Sequence, residues 1–293
     1  MIMYMKRIYA FAAVLLLALP LSAQSDRFFQ RYNLLVSQLG PAGVGVETLL
    51  ENWEKVDSSD RRMLVAKHEY YLTKSRSEQV VKKSSDKYLG MKPVLTLKDS
   101  LGNNVYYYQE AFYDDQLYGN ALKAADRLIA LYPDELDYRV LKAGDLVLYE
   151  KESPDMALSF LMDLIDEDAA RTRPWNYDGQ KQDDDFLKDV IQEYCREFYM
   201  IGSPQAMKAF LSLSRKMYKL YPDKICFLSN IGTWHLVAEN DPKSALKCYS
   251  KVLKKSKDDE TAIRNSIVAA RRIGNVKLEK KYRQMLQKIT EEN

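Results

Sequence analysis

The sequence predicts an all-α protein built from repeated helix pairs, and three observations lead to that prediction. Glycine and proline are scarce, at 11 and 9 among 293 residues, so few helices are interrupted. The tetrapeptide Leu-Tyr-Pro-Asp occurs at 131–134 and again at 220–223, each time after a segment with helical apolar spacing. A capping residue followed by proline, which is a helix-start signal, occurs three times, at Ser153, Ser203 and Asp241.

The bulk composition is that of a globular protein. Hydrophobic residues make up 46% of the chain and charged residues 29%, which argues against long disordered stretches. The formal net charge is +3. A chain of this length is long enough to bury a core without disulfide bonds.

The first 23 residues have the layout of a secretory signal peptide. Lys6 and Arg7 precede the apolar run AFAAVLLLALPL, and Ser22 and Ala23 are small residues of the kind found at a signal-peptide cleavage site. The run is shorter than the roughly 20 residues that a membrane-spanning helix needs. No cysteine follows it, which disfavours a lipoprotein. We therefore expect a mature chain of 24–293, in the periplasm or outside the cell and without a transmembrane segment. An uncleaved N-terminal anchor is the alternative.

Each Leu-Tyr-Pro-Asp copy is predicted to end one helix and to begin the next. Residues spaced one, three or four positions apart precede each copy. They are Ala121, Leu122, Ala125, Leu128 and Ile129 before the first, and Phe210, Leu211, Ser214, Met217 and Tyr218 before the second. Such spacing places them on one face of a helix. Proline cannot continue the helical hydrogen-bond ladder, so the helix stops there. Asp134 and Asp223 are then placed to cap the helices that follow.

The helices around these turns carry small residues at regular places. Gly144 and Gly232 lie near the middle of the segments that follow the two copies, where a glycine lets two helices approach closely. The helices opened by a capping residue and proline carry a small residue early: Ala157, Ala206 and Ala245. The unit is therefore a helix, a tight turn and a second helix.

This unit resembles the tetratricopeptide repeat, which has two helices in about 34 residues. The clearest match is 226–259, where Asn230, Ile231 and Gly232 resemble the family's Asn-Leu-Gly and Ala245 its small residue in the second helix. The resemblance implies a tetratricopeptide-like α-α superhelix. The last unit, 260–293, has Glu279 in place of the small residue and resembles a degenerate or capping repeat.

The repeat length accounts for the 89 residues that separate the two Leu-Tyr-Pro-Asp copies. Two units of about 34 residues supply about 68 of them. The remaining residues, about 21, fit the polar and aperiodic segment 166–185. We therefore expect each copy to end the second helix of a unit, with an inserted loop between the two units.

Upstream of 131 the repeat pattern is looser. Helices are expected at 26–39, at Val46–Val56, at 60–74 and in a segment that ends at Leu131. Alternating residues around a Ser-Leu-Gly-Asn turn predict a β-hairpin over 93–108, and 77–92 is expected to be a flexible approach to it. The hairpin insertion thus covers about 77–108, in a single repeat domain of about six helix pairs.

The sequence offers no constellation for catalysis or for a metal. His68 and His235 lie in helical segments near aromatic residues, where a packed or surface histidine is expected. No nucleophile motif or zinc-ligand spacing occurs. The glycine cluster at 40–45 follows a helix and lacks the dinucleotide-binding order, so it is expected to be a turn. The segment 174–185 resembles a calcium loop only faintly, since Pro174 occupies the first ligand position. We expect no cofactor, no metal and no enzymatic activity.

Three cysteines occur, at Cys195, Cys226 and Cys248. Cys195 falls in the apolar stripe of a predicted helix and is expected to be a buried thiol. A Cys226–Cys248 disulfide is the alternative for the other two, since an exported protein meets oxidising conditions.

The resemblance implies a binding site on the first helices of the repeats. In the family these helices line a concave face that holds peptides, and in some members asparagines there hold a peptide backbone or a terminal carboxylate. Asn230 and Asn265 lie at matching positions of two first helices. The implied peptide-binding residues are Asn230, Thr233, Arg264, Asn265, Val268, Arg271 and Arg272. The alternative is that the asparagines only stabilise the repeat.

These features favour a non-catalytic scaffold that binds a protein or peptide partner. A structural subunit or assembly factor of an envelope complex, and a glycan- or anion-binding module, are the alternatives. The segment 241–293 carries 14 lysines and arginines against seven acidic residues. We expect this charge to form a solvated helix face, with an anionic partner as the alternative, and export argues against nucleic acid.

Overall fold

The computed structural model describes residues 23–292, and these residues are mostly helical, with two small β-sheets. The helices are α1 (23–39), α2 (Val46–Val56), α3 (Arg61–Ser75), α4 (Asp115–Leu131), α5 (Asp137–Glu150), α6 (Asp155–Ala170), α7 (Phe186–Ile201), α8 (Pro204–Leu220), α9 (Ile225–Val237), α10 (Pro242–Lys255), α11 (Glu260–Arg272) and α12 (Val276–Glu292). The strands are β1 (Arg76–Lys83), β2 (Leu95–Lys98), β3 (Asn104–Tyr113), β4 (Asn176–Tyr177) and β5 (Gln180–Lys181). The predicted fold class, an all-α array of helix pairs with a small hairpin insertion, is confirmed. Nearly all of the predicted signal peptide, residues 1–22, lies outside the described residues.

The chain divides into two compact units. Among the described residues, one unit contains 23–81 together with Gln109–Lys142, and the other contains Lys82–Tyr108 together with 143–292. In the first unit α3 packs against α4, and in the second α7, α8, α9, α10, α11 and α12 pack in sequence order. The single repeat domain over 24–293 stays a prediction.

Trp53 lies at the centre of the core of the first unit. Its side chain is fully buried, and its indole Nε1–H donates to Ser25 Oγ at 2.7 Å and to Asp60 Oδ2 at 3.2 Å. Asp60 also caps α3 by accepting the N–H of Arg62. Burial alone would raise the pKa of Asp60, but hydrogen bonds from Arg62 and Ser25 lower it overall. One carboxylate thus joins the start of α3 to the tryptophan at the core.

The predicted hairpin is present, and it belongs to a sheet of three strands in the order β1-β3-β2. β2 and β3 pair antiparallel from Leu95 opposite Tyr107 to Lys98 opposite Asn104. The expectation that 77–92 is a flexible approach is wrong at Arg76–Lys83, which forms β1. This strand is polar and almost wholly exposed, so it lacks the apolar alternation by which a strand is recognised. Backbone pairing to β3 holds it instead.

The two Leu-Tyr-Pro-Asp copies form the same turn. Tyr132 and Tyr221 end α4 and α8 with φ and ψ of −124° and 64° in one case and −127° and 72° in the other. Their N–H groups donate to Leu128 O at 2.8 Å and to Met217 O at 2.7 Å. The prediction that each copy ends the second helix of a unit is confirmed.

Both tyrosine hydroxyls of these turns reach back to the preceding helix pair. Tyr132 donates to Ser59 O at 2.9 Å, and Tyr221 donates to Asp168 Oδ2 at 3.0 Å. The predicted cap by Asp223 is wrong, because Lys224 is the N-cap residue of α9, with no side-chain cap, and Asp223 pairs with Lys255 at 3.1 Å. The feature that the two turns share is thus the tyrosine, which bonds through both its backbone N–H and its hydroxyl group.

All three predicted helix starts are confirmed, but only two of the three predicted caps are. Ser203 accepts the N–H of Ala206 at 3.0 Å, and Asp241 accepts two N–H groups at the start of α10. The cap by Ser153 is wrong, because the Glu150 carboxylate takes the N–H groups of Met156 and Ala157 at 2.7 and 2.8 Å. The longer side chain of Glu150 reaches the same donors from the end of α5.

The small residues differ in their surroundings. Ala157, Ala206 and Ala245 are all fully buried. A Cβ atom added at Gly232 would lie 2.7 Å from Cε1 of Tyr249, so α9 and α10 approach closely there, as predicted. At Gly144 the nearest atom to such a Cβ, the Tyr194 hydroxyl, is 4.0 Å away, so the predicted close approach is wrong.

The predicted polar loop at 166–185 is shorter and more ordered than expected. α6 continues to Ala170, and β4 and β5 form a small antiparallel hairpin. Trp175 is buried, and its Nε1–H donates to Asp168 Oδ1 at 2.9 Å. The sequence missed this order because a single tryptophan, with no apolar period around it, anchors the loop.

Candidate binding face of the first helices

The predicted site residues lie on α9 and α11, the first helices of the last two pairs. Asn230 and Thr233 are on α9, and the other five are on α11. The face that contains the two asparagines is built from α7, α9 and α11. The inner part of this face is polar.

A side-chain amide pair joins α7 to α9. Asn230 Nδ2 donates to Gln192 Oε1 at 2.9 Å, and Gln192 Nε2 faces Asn230 Oδ1 at 3.4 Å. Both side chains are half-buried. Gln192 was not among the predicted site residues; it is half-buried and lies beside the buried stripe of α7.

A second set of hydrogen bonds joins α9 to α11. Asn265 Nδ2 donates to Thr233 Oγ1 at 3.3 Å. Thr233 Oγ1 also lies 3.1 Å from Ser229 O, to which it can donate. It lies 3.1 Å from the Tyr249 hydroxyl oxygen as well, and either oxygen of that pair can be the donor. Burial raises the pKa of Tyr249 to about 12, so its hydroxyl stays a hydrogen-bond donor at neutral pH. Gln192, Asn230 and Asn265, which we call the amide row, therefore tie three first helices together.

Seven residues beyond each amide, a more exposed side chain occupies the same helix face, because seven residues make about two turns. These positions are Tyr199 on α7, Val237 on α9 and Arg272 on α11, which we call the outer row. Tyr199 is 38% exposed and Val237 is 51% exposed. Val268, three residues beyond Asn265, is 40% exposed and lies on the same side of α11. The face thus combines a bonded polar row with exposed apolar side chains.

The three predicted arginines do not form one cluster. Arg264 pairs with Glu260 on its own helix, and Arg271 pairs with Glu279 of α12 at 3.1 Å. Arg272 Nη1 donates to the Leu236 carbonyl at 2.6 Å. The structure therefore brings Asn230, Thr233 and Asn265 together but directs each arginine to a different partner.

One group of described residues has the composition of a metal site. His235, Glu239 and Asp241 place one ligand atom each within 4.8 Å of one another. His235 Nδ1 already contacts Glu239 Oε2 at 2.5 Å, and Asp241 caps α10. Internal bonds therefore account for this arrangement. The other histidine, His68, is buried.

The three cysteines are free thiols. Burial raises the pKa of Cys195 to about 12, and its sulfur lies 3.6 Å from Ser214 Oγ. Cys195 is therefore the buried thiol that the sequence predicts, while Cys226 and Cys248 are half-buried and not bonded to each other. Among the described residues, no helix is both long and apolar enough to cross a bilayer.

Comparisons with known proteins find only weak similarity. No protein-family model matches the chain, and no curated protein matches it. Among the solved structures that match are two titled "Crystal structure of MamA" and "Crystal structure of MamA protein". Both are 12% identical to this chain with a TM-score of 0.38. The first covers 60% of this chain and 91% of its own, and the second covers 59% and 82%. At this identity and TM-score the two structures say nothing about what this chain binds.

Proposed function

We propose that this protein is a non-catalytic scaffold that binds a protein or peptide partner through the face of α7, α9 and α11. Tyr199, Val237 and Val268 carry the proposal, since they expose apolar side chains beside a fixed polar row. Such a combination of an apolar anchor surface and a polar border is typical of protein recognition.

The geometry of the face favours an extended peptide segment. Packed helices lie about 8–10 Å apart, so three neighbouring first helices span roughly 20 Å. An extended chain covers that span with about six residues at roughly 3.3 Å each. The amide row holds the three helices in place, so little ordering of the scaffold would oppose binding.

The proposal includes export. The support for it is the layout of the first 23 residues, with Lys6 and Arg7 before a short apolar run. If export is correct, the purified envelope or culture protein begins at Gln24, which mass spectrometry of the intact chain measures.

The binding proposal is tested with the mature chain and two matched variants. Val237→Glu with Val268→Glu places charges on the face, whereas Leu131→Glu with Val276→Glu changes two exposed apolar residues of α4 and α12, which are second helices. The partner is first identified by affinity capture and purified. We expect it to bind the first variant at least about tenfold more weakly than the wild type, because a charge opposes burial of the apolar contact. Its affinity for the second variant should stay within about twofold.

Calorimetry with the purified partner measures the affinities, and circular dichroism confirms that both variants are folded. Equal affinity for both variants would place the binding site elsewhere. A wild-type chain that retains no polypeptide would overturn the scaffold proposal.

The sheet supports a second candidate function, a structural subunit of an envelope complex. All of β2 is exposed, and Leu95 and Leu97 lie on one side of this strand. An exposed strand with apolar residues pairs readily with another chain. A permanent complex that survives purification, and that Leu95→Thr with Leu97→Thr abolishes, would favour this function over reversible peptide binding.

A further inference from the structure

A second surface with binding character lies between α6 and α8, which are second helices of their pairs. An open cavity of about 550 Å³ occurs there. The side chains that matter most in its lining are Met162 and Asp166 from α6, and Arg215, Lys216, Lys219 and Leu220 from α8.

The cavity carries unbalanced positive charge. Lys216 is neutralised, since its Nζ pairs with Asp166 at 2.5 Å and donates to the Met162 carbonyl at 3.0 Å. Arg215 and Lys219 are exposed, and neither has an ion pair within 23–292. The guanidinium of Arg215 lies 5.8 Å from the ring of Trp234, which limits its motion without neutralising it. Two cations one helical turn apart therefore border the opening.

The cavity also has an apolar side. Met162 is half-buried, and Leu220 is 40% exposed. An inorganic anion would bind the two cations but would leave this apolar surface exposed to water. A ligand that fits both features carries carboxylates on either side of an apolar side chain.

We propose that this cavity binds an acidic segment of a partner protein, with a leucine-sized side chain against Met162 and Leu220 and carboxylates on Arg215 and Lys219. The planar guanidinium of Arg215 suits a carboxylate through two parallel hydrogen bonds. A bilayer surface would need no concave apolar pocket, and a polyanionic glycan has no side chain to fill one. This site lies on second helices and is independent of the face of α7, α9 and α11.

The test uses two labelled peptides and charge-matched variants of the mature chain. The first peptide is the octamer Glu-Glu-Leu-Glu-Glu-Leu-Glu-Glu, and the second is eight glutamates. Arg215→Gln with Lys219→Gln removes the two cavity cations. Lys247→Gln with Lys251→Gln removes two exposed lysines of α10 that do not line the cavity. Fluorescence anisotropy at about 0.15 M salt, where long-range charge effects are screened, measures binding.

We expect the leucine-containing peptide to bind the wild type, to bind the cavity variant at least about tenfold more weakly, and to bind the α10 variant within about twofold of the wild type. The all-glutamate peptide should bind at least about tenfold more weakly, because it cannot bury an apolar side chain. Equal losses in the two charge variants would mean bulk attraction and would overturn the proposal. So would equal binding of both peptides, or no binding of the leucine-containing one.

The repeated turn offers a second matched pair of variants. Leu220 lies in the cavity, while Leu131 holds the same position in the other turn and is 44% exposed. Leu220→Glu should weaken binding of the leucine-containing peptide about tenfold, and Leu131→Glu should leave it within about twofold. Tighter binding of phosphatidylglycerol vesicles or polygalacturonate, lost in the cavity variant, would assign the site to a membrane or a glycan and would overturn the proposal. Circular dichroism confirms that each variant is folded.

Discussion

Gly232 lies where α9 passes closest to α10. Because a Cβ atom there would meet Tyr249 at 2.7 Å and Cys248 at 3.1 Å, Gly232→Ala requires the two helices to separate or Tyr249 to move. Tyr249 is fully buried, so it has little room to move. We expect Gly232→Ala to lower the free energy of unfolding by about 1–3 kcal/mol, the usual cost of overpacking. Urea denaturation followed by circular dichroism measures it.

Gly144 provides the control for this substitution. It is also a mid-helix glycine, but a Cβ atom there would have open space. Gly144→Ala should therefore stabilise the protein by up to about 1 kcal/mol through helix propensity. Equal destabilisation by both substitutions would contradict the close approach at Gly232.

The two asparagines of the binding face show which features of a site can be predicted from the sequence and which cannot. The position of Asn230 and Asn265 on matching first helices could be predicted, because it follows from spacing along the chain. Their bonds to Gln192 and Thr233 could not, because helix periodicity does not show which neighbouring helix lies within reach. The same holds for Arg271 and Arg272, whose partners on α12 and α9 only the fold brings near, whereas Arg264 pairs within its own helix.

At the scale of elements, two helices differ in the side chain that caps them: Ser203 caps α8, whereas Glu150 caps α6. Ser203→Ala removes the acceptor for the N–H of Ala206 and should lower the free energy of unfolding by about 1 kcal/mol. Ser153→Ala should change it by less than about 0.5 kcal/mol, because Glu150 caps α6 instead. Chemical denaturation of the two variants measures the difference.

A loss at Ser153 as large as at Ser203 would contradict the cap by Glu150. In that case Glu150→Gln, which keeps an acceptor oxygen but removes the charge, would show whether the carboxylate matters. The comparison shows that a motif in the sequence identifies a helix start but not always the side chain that caps it.

Most helices and the hairpin could be predicted because periodicity and turn residues are local. β1 could not, because its partner strand lies more than twenty residues further along and its own residues are polar and exposed. The hairpin of β4 and β5 is also missed, since each strand has only two residues.

For the whole molecule, we expect the two compact units to unfold together. Each of the three points where the chain passes from one unit to the other falls inside a regular element: β1, β3 and α5. A continuous strand or helix couples the residues on either side of the crossing more strongly than a flexible linker does. This expectation agrees with the single repeat domain predicted over 24–293.

The buried Trp53 reports on the first unit when the other two tryptophans are replaced, as in Trp175→Phe with Trp234→Phe. In that variant, urea unfolding by tryptophan fluorescence and by far-ultraviolet circular dichroism should give one midpoint. Separate midpoints would show two domains that fold independently.

The tyrosine of each Leu-Tyr-Pro-Asp turn limits where this chain can be lengthened. Since Tyr132 and Tyr221 are bonded at once to their own helix and to the preceding helix pair, an added residue in either turn breaks one of these bonds. The connection at 171–185 is longer and is tied to α6 through Trp175 and Asp168, but its turn at Asp178-Gly179 is exposed. New segments, whether tags or grafted binding loops, therefore belong at the exposed tip Asp178-Gly179 rather than between α4 and α5 or between α8 and α9.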